Sequence, residues 1–149
     1  GADRAYLALG KLYTSEKKTE DAKAAFQKYM KKHPKDADAL EQLASIAADA
    51  GDYADAATYY KDAMEAASGD QVKELQKALV AVYEKNGDFA SALEEAKDYV
   101  ADYPEDETMQ KEYEFLQTRV LTGLENTGTD NTQQADDTAA DTTTEGNGQ

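Results

Sequence analysis

Residues 6–34 read YLALGKLYTSEKKTEDAKAAFQKYMKKHP, and the spacing inside this stretch decides the fold. Leu9 and Tyr13 are four apart, as are Ala22 and Phe26, so each pair shares one face of a helix. A polar run separates the two pairs. Pro34 then stops the second helix, because proline has no amide hydrogen and restrains the residue before it. The stretch reads as a helical hairpin. A small residue on one helix allows close approach, and a ring on the other fills the space that remains.

The same intervals recur twice downstream. Leu40, Leu43-Ala44, Ala47, Ala56, Tyr60, Ala63 and Ser68 form a second line, and Leu79-Val80, Tyr83, Ala92, Ala96, Tyr99 and Pro104 a third. Leu43 lies 34 residues after Leu9 and Leu79 lies 36 after Leu43, the two extra residues falling around Gly69-Asp70. Each hairpin has an apolar side too wide to bury alone, and stacking successive hairpins closes the core. The pattern predicts helices near 3–15, 19–33, 37–50, 53–67, 71–86 and 89–102. It buries Leu9, Leu43 and Leu79 and sets Ala22, Ala56 and Ala92 at the closest helix approaches. Asp52 and Asp88, each after a glycine, are the expected N-caps. A seventh helix over 106–122 carries Met109, Tyr113, Leu116 and Val120 as a single apolar stripe, which suits a terminal cap.

Composition narrows the function classes. The 149 residues hold 16 Lys or Arg against 31 Asp or Glu, a net charge of −15, which repels phosphate backbones and argues against nucleic acid. There is no cysteine and one histidine, so thiolate metal sites, disulfides and a Cys nucleophile are excluded. No cofactor or metal is expected. His33 ends a helix in Lys-His-Pro with no group to position it as a base, and reads as a solvated residue favoured by the helix dipole. No P-loop, EF-hand or GxSxG occurs, no apolar run reaches membrane-spanning length, and no catalytic residue is assigned. Residues 125–149, with seven Thr, six acids and nothing apolar larger than Ala, read as a disordered acidic tail. Charge is polarised along the chain. Residues 3–36 carry nine bases and five acids, residues 37–70 one and eight, residues 71–106 four and nine, and residues 107–149 two and nine. Lys28, Lys31, Lys32 and Lys35 crowd the end of the second helix. Dipole complementation accounts for them, and an anion-binding patch is the alternative.

The three lines resemble the tetratricopeptide repeat, whose signature runs aromatic-x2-Leu-Gly-x2-Tyr, then Ala-x3-Phe, then Pro. Residues 3–36 carry it nearly complete. Residues 37–70 have Ala47 for the usual Tyr and Ser68 for the usual Pro. Residues 71–106 have Gln76 at the leading aromatic place and Ala96 where a ring is usual. The resemblance implies an all-α right-handed α-solenoid of three hairpins, here followed by a capping helix at 107–124 and the tail. It further implies that the first helix of each hairpin lines a concave groove for a peptide or partner helix. That groove comprises Arg4, Leu7, Lys11, Thr14 and Ser15, then Asp38, Glu41, Gln42, Ser45 and Asp49, then Glu74, Lys77, Ala81, Glu84 and Lys85. Family members that clamp a C-terminal carboxylate use Lys and Asn, then Asn, then Lys and Arg. Leu7, Lys11, Ser45, Lys77 and Ala81 hold the comparable places, so two lysines remain and this clamp is not expected.

The sequence is thus read as a non-catalytic protein-interaction module that binds a protein or peptide, without nucleic acid or membrane insertion. Two alternatives stand beside it: weak self-association of the basic first repeat with the acidic end of another copy, and an accessory domain of an enzyme upstream of Gly1. With no initiator Met, the chain is expected to be a fragment of a longer, bacterial protein. Its 14 Lys against two Arg, its lack of cysteine and its polar tail lean towards an extracytoplasmic or cell-surface setting, with the cytosol as the alternative.

Overall fold

A computed structural model describes the backbone of residues 1–133 and the side chains of residues 1–123. Among the described residues seven helices follow one another: α1 Ala2–Ser15, α2 Thr19–Met30, α3 Ala37–Asp49, α4 Tyr53–Ala66, α5 Asp70–Lys85, α6 Phe89–Asp102 and α7 Glu107–Gln133. Each packs on the next. The pairs α1–α2, α3–α4 and α5–α6 are hairpins, α7 closes against α6, and α2 meets α3 more thinly than α4 meets α5. The chain is an all-α helical-repeat solenoid.

The turns inside the hairpins are one design used three times. Lys18 N–H donates to Tyr13 C=O at 2.8 Å, Asp52 N–H to Ala47 C=O at 2.8 Å and Asp88 N–H to Tyr83 C=O at 2.9 Å. Such a six-residue closure needs a left-handed residue just past the helix. Gly51 (φ 83°) and Gly87 (φ 77°) supply it, whereas the first hairpin forces Lys17 to φ 59°. Asp88 caps α6 as expected, accepting from Ser91 N–H at 3.1 Å and Ser91 Oγ at 2.6 Å. Asp52 makes no side-chain cap, so that expectation is corrected.

The turns between hairpins hold an unexpected device. Tyr29 Oη donates to Asp36 at 2.6 Å, and Asp36 also accepts from Ala39 N–H at 3.1 Å, capping α3. Seventy residues on, Tyr99 Oη donates to Asp106 at 2.7 Å while Asp106 accepts from Met109 N–H at 3.2 Å. One aspartate therefore ties the end of one hairpin to the start of the next. The Tyr99 hydroxyl and the Met109 amide hold Asp106 below the usual carboxylate range, and burial with the Asp106 bond pushes the Tyr99 phenol up. Burial alone would raise Asp36, but the Tyr29 hydroxyl and the Ala39 amide outweigh it and leave it low. Between the second and third hairpins Ala63 takes the tyrosine's place, and a short link through Gly69, at φ 62°, makes the connection instead.

Ala22, Ala56 and Ala92 are fully buried, as the spacing predicts. The helix crossings of the first and third hairpins exchange volume. Gly10, Ala44 and Val80 are equivalent positions on the first helices, and Phe26, Tyr60 and Ala96 on the second. A Cβ at Gly10 would lie 2.7 Å from the Phe26 ring. As the first position grows from Gly to Val, the second shrinks from Phe to Ala, which keeps the density of the interior. Ala96 is thus a compensated substitution. Two clusters form the core: a small one of Ala22, Phe26, Leu43 and Ile46, and a long one running from Leu40 to Leu116, with Met30 and Tyr59 packed against both.

Three expectations change. Leu9 is 38% exposed, while its counterparts Leu43 and Leu79 are buried, because the helix of a preceding hairpin covers those two and none of the described residues covers α1. Helix α2 ends at Met30, short of His33. There the chain tightens, with Lys32 and His33 both donating to Tyr29 C=O, as the restraint imposed by Pro34 requires. Helix α7 runs to Gln133, beyond the cap expected at 107–124. No proline follows Pro104, and adding residues to an existing helix is far easier than starting one. The rest of the expected tail, residues 134–149, lies outside the described residues.

Candidate functional site

All the residues expected to line the groove stand on the first helices α1, α3 and α5, and none is fully buried. Helix α1 presents Arg4, Leu7, Lys11, Thr14 and Ser15. Leu7 is half-buried against the Phe26 cluster, so it divides its surface between core and solvent. Thr14 Oγ1 and Ser15 Oγ donate to their own helix, to Gly10 C=O at 2.8 Å and Leu12 C=O at 2.7 Å. Among the described residues Lys11 has no ion-pair partner, and it is exposed.

Helix α3 contributes the acidic portion, with Asp38, Ser45 and Asp49 exposed and Glu41 and Gln42 half-buried. Gln71 of α5 donates through Nε2 to Asp38 at 2.7 Å and to Glu41 at 3.3 Å, which clips the second hairpin to the third. Gln71 was not among the expected residues. Lying 33 residues after Asp38, it falls almost one repeat away, but nothing in its own stretch marks it.

Helix α5 carries Glu74, Lys77, Ala81, Glu84 and Lys85. Lys77, Ala81, Glu84 and Lys85 line a cavity of about 350 Å³ with Val80 and with Met109 and Glu112 of α7. Sequence reasoning placed Met109 on the capping stripe and Glu112 off it, and assigned neither to a site. Lys77 Nζ lies 3.5 Å from both Glu74 and Asp106 and 5.8 Å above the Tyr99 ring. Burial pushes the Glu84 carboxyl up to about 7, aided by a hydrogen bond to Glu112 and its charge. The cavity therefore joins a tethered ammonium to a Glu84 carboxyl held above the usual carboxylate range beside Glu112.

The lysine-rich end of α2 is occupied from within the chain. Lys32 Nζ meets Asp3 at 3.2 Å, His33 stacks on Tyr29 with ring centroids 4.5 Å apart, and Lys28 Nζ lies 5.4 Å over the Tyr6 ring. Among the described residues no three His, Cys, Asp or Glu side chains could hold a metal together, and no helix is long and apolar enough to cross a membrane.

Stacked hairpins with an exposed polar stripe along their first helices define an α-solenoid of the repeat type. Residues 4–71, which span α1–α4, match the family model described as tetratricopeptide repeat. The matched segment carries tetratricopeptide repeats, and the fold is that of tetratricopeptide-repeat domains. The third hairpin, where Ala96 replaces the ring, falls outside the matched segment. Solved structures agree on the fold. The N-terminal domain of stress-induced protein-1 from C. elegans is 16% identical, with a TM-score of 0.70 over 78% of this chain and 94% of that one. The TPR domain of P58(IPK) is 15% identical, with a TM-score of 0.76 over 87% of this chain and 36% of that one. The first TPR domain of Spaghetti (RPAP3), bound to the HSP90 peptide SRMEEVD, is 15% identical, with a TM-score of 0.61 over 80% of this chain and 98% of that one. At these identities the likeness is one of fold. No curated protein matches the sequence.

Proposed function

We propose that this chain is a non-catalytic recognition module that holds an extended peptide or a partner helix along the exposed stripe of α1, α3 and α5. The observation that carries this reading is the contrast within each first helix. Core positions such as Gly10, Leu43, Ala44, Leu79 and Val80 are buried, while Lys11, Ser45 and Ala81 stay open to solvent in the same helices. A protein-binding role fits the family, and the structures of related fold include one with a bound HSP90 peptide. The stripe departs from a carboxylate clamp, since Lys11 and Lys77 lack the asparagines and arginine beside them. Lys77 is already shared between Glu74 and Asp106. The ligand that complements the stripe therefore has mixed charge, with acidic groups towards Arg4 and Lys11 and basic groups towards Asp38, Glu41 and Asp49.

Peptides selected from a random phage-displayed library on the wild-type chain test this. Binding should fall at least tenfold on Lys11→Glu with Lys77→Glu, about 1.4 kcal/mol or more, and should be unmoved by Lys97→Glu on the outer face of α6. Peptides indifferent to the stripe pair but sensitive to Lys28→Glu and Lys31→Glu would move the site to the outer face of the first hairpin.

A further inference from the structure

Where the stripe reaches α5 it meets the cavity of about 350 Å³, and the lining of that cavity is divided by chemistry. Val80 and Met109, both buried, and the open Ala81 form an apolar wall. Its charged groups are Lys77, Glu84 and Lys85 from α5 and Glu112 from α7. Helices α4 and α6 also pack on α5, but neither brings a residue to this lining. The lysines leave the carboxyls without a partner. Lys77 Nζ is divided between Glu74 and Asp106 at 3.5 Å each, and among the described residues neither Glu84 nor Glu112 forms an ion pair. Among the same residues no third donor joins the two to hold a metal ion. Two half-buried carboxyls in contact repel when both are ionised, and a cation placed between them removes that repulsion.

We infer that this cavity receives an arginine or lysine side chain of the bound peptide, an assignment that rests on the function proposed above. The charged head meets Glu84 and Glu112, and the methylene stem lies along Val80, Ala81 and Met109. Each part of the lining then has a use. A small inorganic cation would leave the apolar wall without a contact. An acidic side chain would meet two carboxyls, while the ammonium of Lys77 is already engaged by Glu74 and Asp106. Arrival of the cation also expels the proton that Glu84 holds to about 7, where burial comes first and the hydrogen bond to Glu112 and its charge follow. The peptide therefore runs from acidic groups beside Arg4 and Lys11 to a basic anchor between α5 and α7.

Histidine-free peptides selected on the wild-type chain supply the probe. Each should contain an arginine or lysine whose exchange for glutamine weakens binding about tenfold or more. Glu84→Gln with Glu112→Gln should weaken the unchanged peptide by a similar factor and make the chain indifferent to that exchange. Both side chains are only half-buried, and far-UV circular dichroism checks that the variant still folds. Because the cation displaces a proton held to about 7, affinity should rise about tenfold from about pH 6 to about pH 8. Glu84→Gln should abolish that rise. Lys11→Glu separates this assignment from the function beneath it. Peptides that lose affinity with Lys11→Glu but bind the glutamine pair like the parent overturn the cavity and leave the stripe standing. So does a wild-type affinity that stays level or falls as the pH is raised. Peptides indifferent to Lys11→Glu and to the glutamine pair alike overturn the stripe and the cavity together.

Discussion

Exchanging the Gly10–Phe26 pair for its third-repeat counterpart tests whether the hairpins share one packing rule. The Phe26 ring is fully buried, and a Cβ at Gly10 would sit 2.7 Å from one of its carbons and 2.8 Å from two others. The ring has no free space to retreat into. Gly10→Val should then cost about 1–3 kcal/mol through overpacking, slightly relieved by the poor helix propensity of glycine. Phe26→Ala should cost about 3–5 kcal/mol by opening a cavity. If the two costs were independent, the double variant would lose about 4–8 kcal/mol. It instead recreates the Val80–Ala96 arrangement, in which the larger residue stands on the first helix, so the loss should fall short of the sum by at least about 1 kcal/mol. Urea unfolding followed at 222 nm measures all four corners of the cycle, and an unchanged m-value keeps the comparison on one cooperative transition. Costs that add to within about 0.5 kcal/mol would show that the two positions do not exchange volume, and the proposed equivalence of the hairpins would fail.

Other consequences can be measured on the same preparation. Lys17→Gly places glycine where Gly51 and Gly87 already serve and removes a left-handed non-glycine residue (φ 59°), so the thermal midpoint should rise by about 2–6 °C, reflecting roughly 1 kcal/mol. Tyr99→Phe takes the hydroxyl from Asp106 (2.7 Å) and should destabilise by about 1–2 kcal/mol, whereas Tyr103→Phe, with no such bond among those described, should be nearly silent. Glu84 holds its proton to about 7 in the folded chain against an ordinary 4.5. The folded chain then binds a proton that the unfolded chain has released, so stability falls as pH rises across that window and the penalty is complete above it. Glu84→Gln should accordingly raise the melting temperature at pH 8, leave it unchanged near pH 4.5 and flatten the profile between them.

Much of the architecture is legible in the sequence because a repeat states its own rule several times. The buried alanines at 22, 56 and 92 and the first-helix positions of the stripe all follow from intervals of three and four. What the intervals leave out is context supplied by neighbours in space. Leu9 carries the same pattern as Leu43, but burial depends on a helix packed outside its own hairpin. Ala96 looks like a defect until Val80 is set opposite it. Tyr29 and Tyr99 stand where the second hairpin has the small Ala63, and the reason lies seven residues on, in Asp36 and Asp106. That matched spacing was open to view, although only the hydrogen bonds give it meaning. The Glu84–Glu112 pair lies beyond any local signal, since it exists only because α7, packed on α6, brings Glu112 to the cavity that Glu84 lines. Helix α7 runs past the expected cap for a different reason: Gly123 and the threonines have low helix propensity, and a helix already built on Met109 and Leu116 continues through them.

In the proposed function α1, α3 and α5 together form the recognition surface. Amide chemical shifts of the ¹⁵N-labelled chain, titrated with a peptide selected on it, address this residue by residue. Saturable shifts are expected at Lys11, Ser45, Lys77 and Ala81 and their helical neighbours, with α2, α4 and α6 unmoved. Shifts centred on Lys28, Lys61 or Lys97 of those second helices, with the first helices silent, would contradict it.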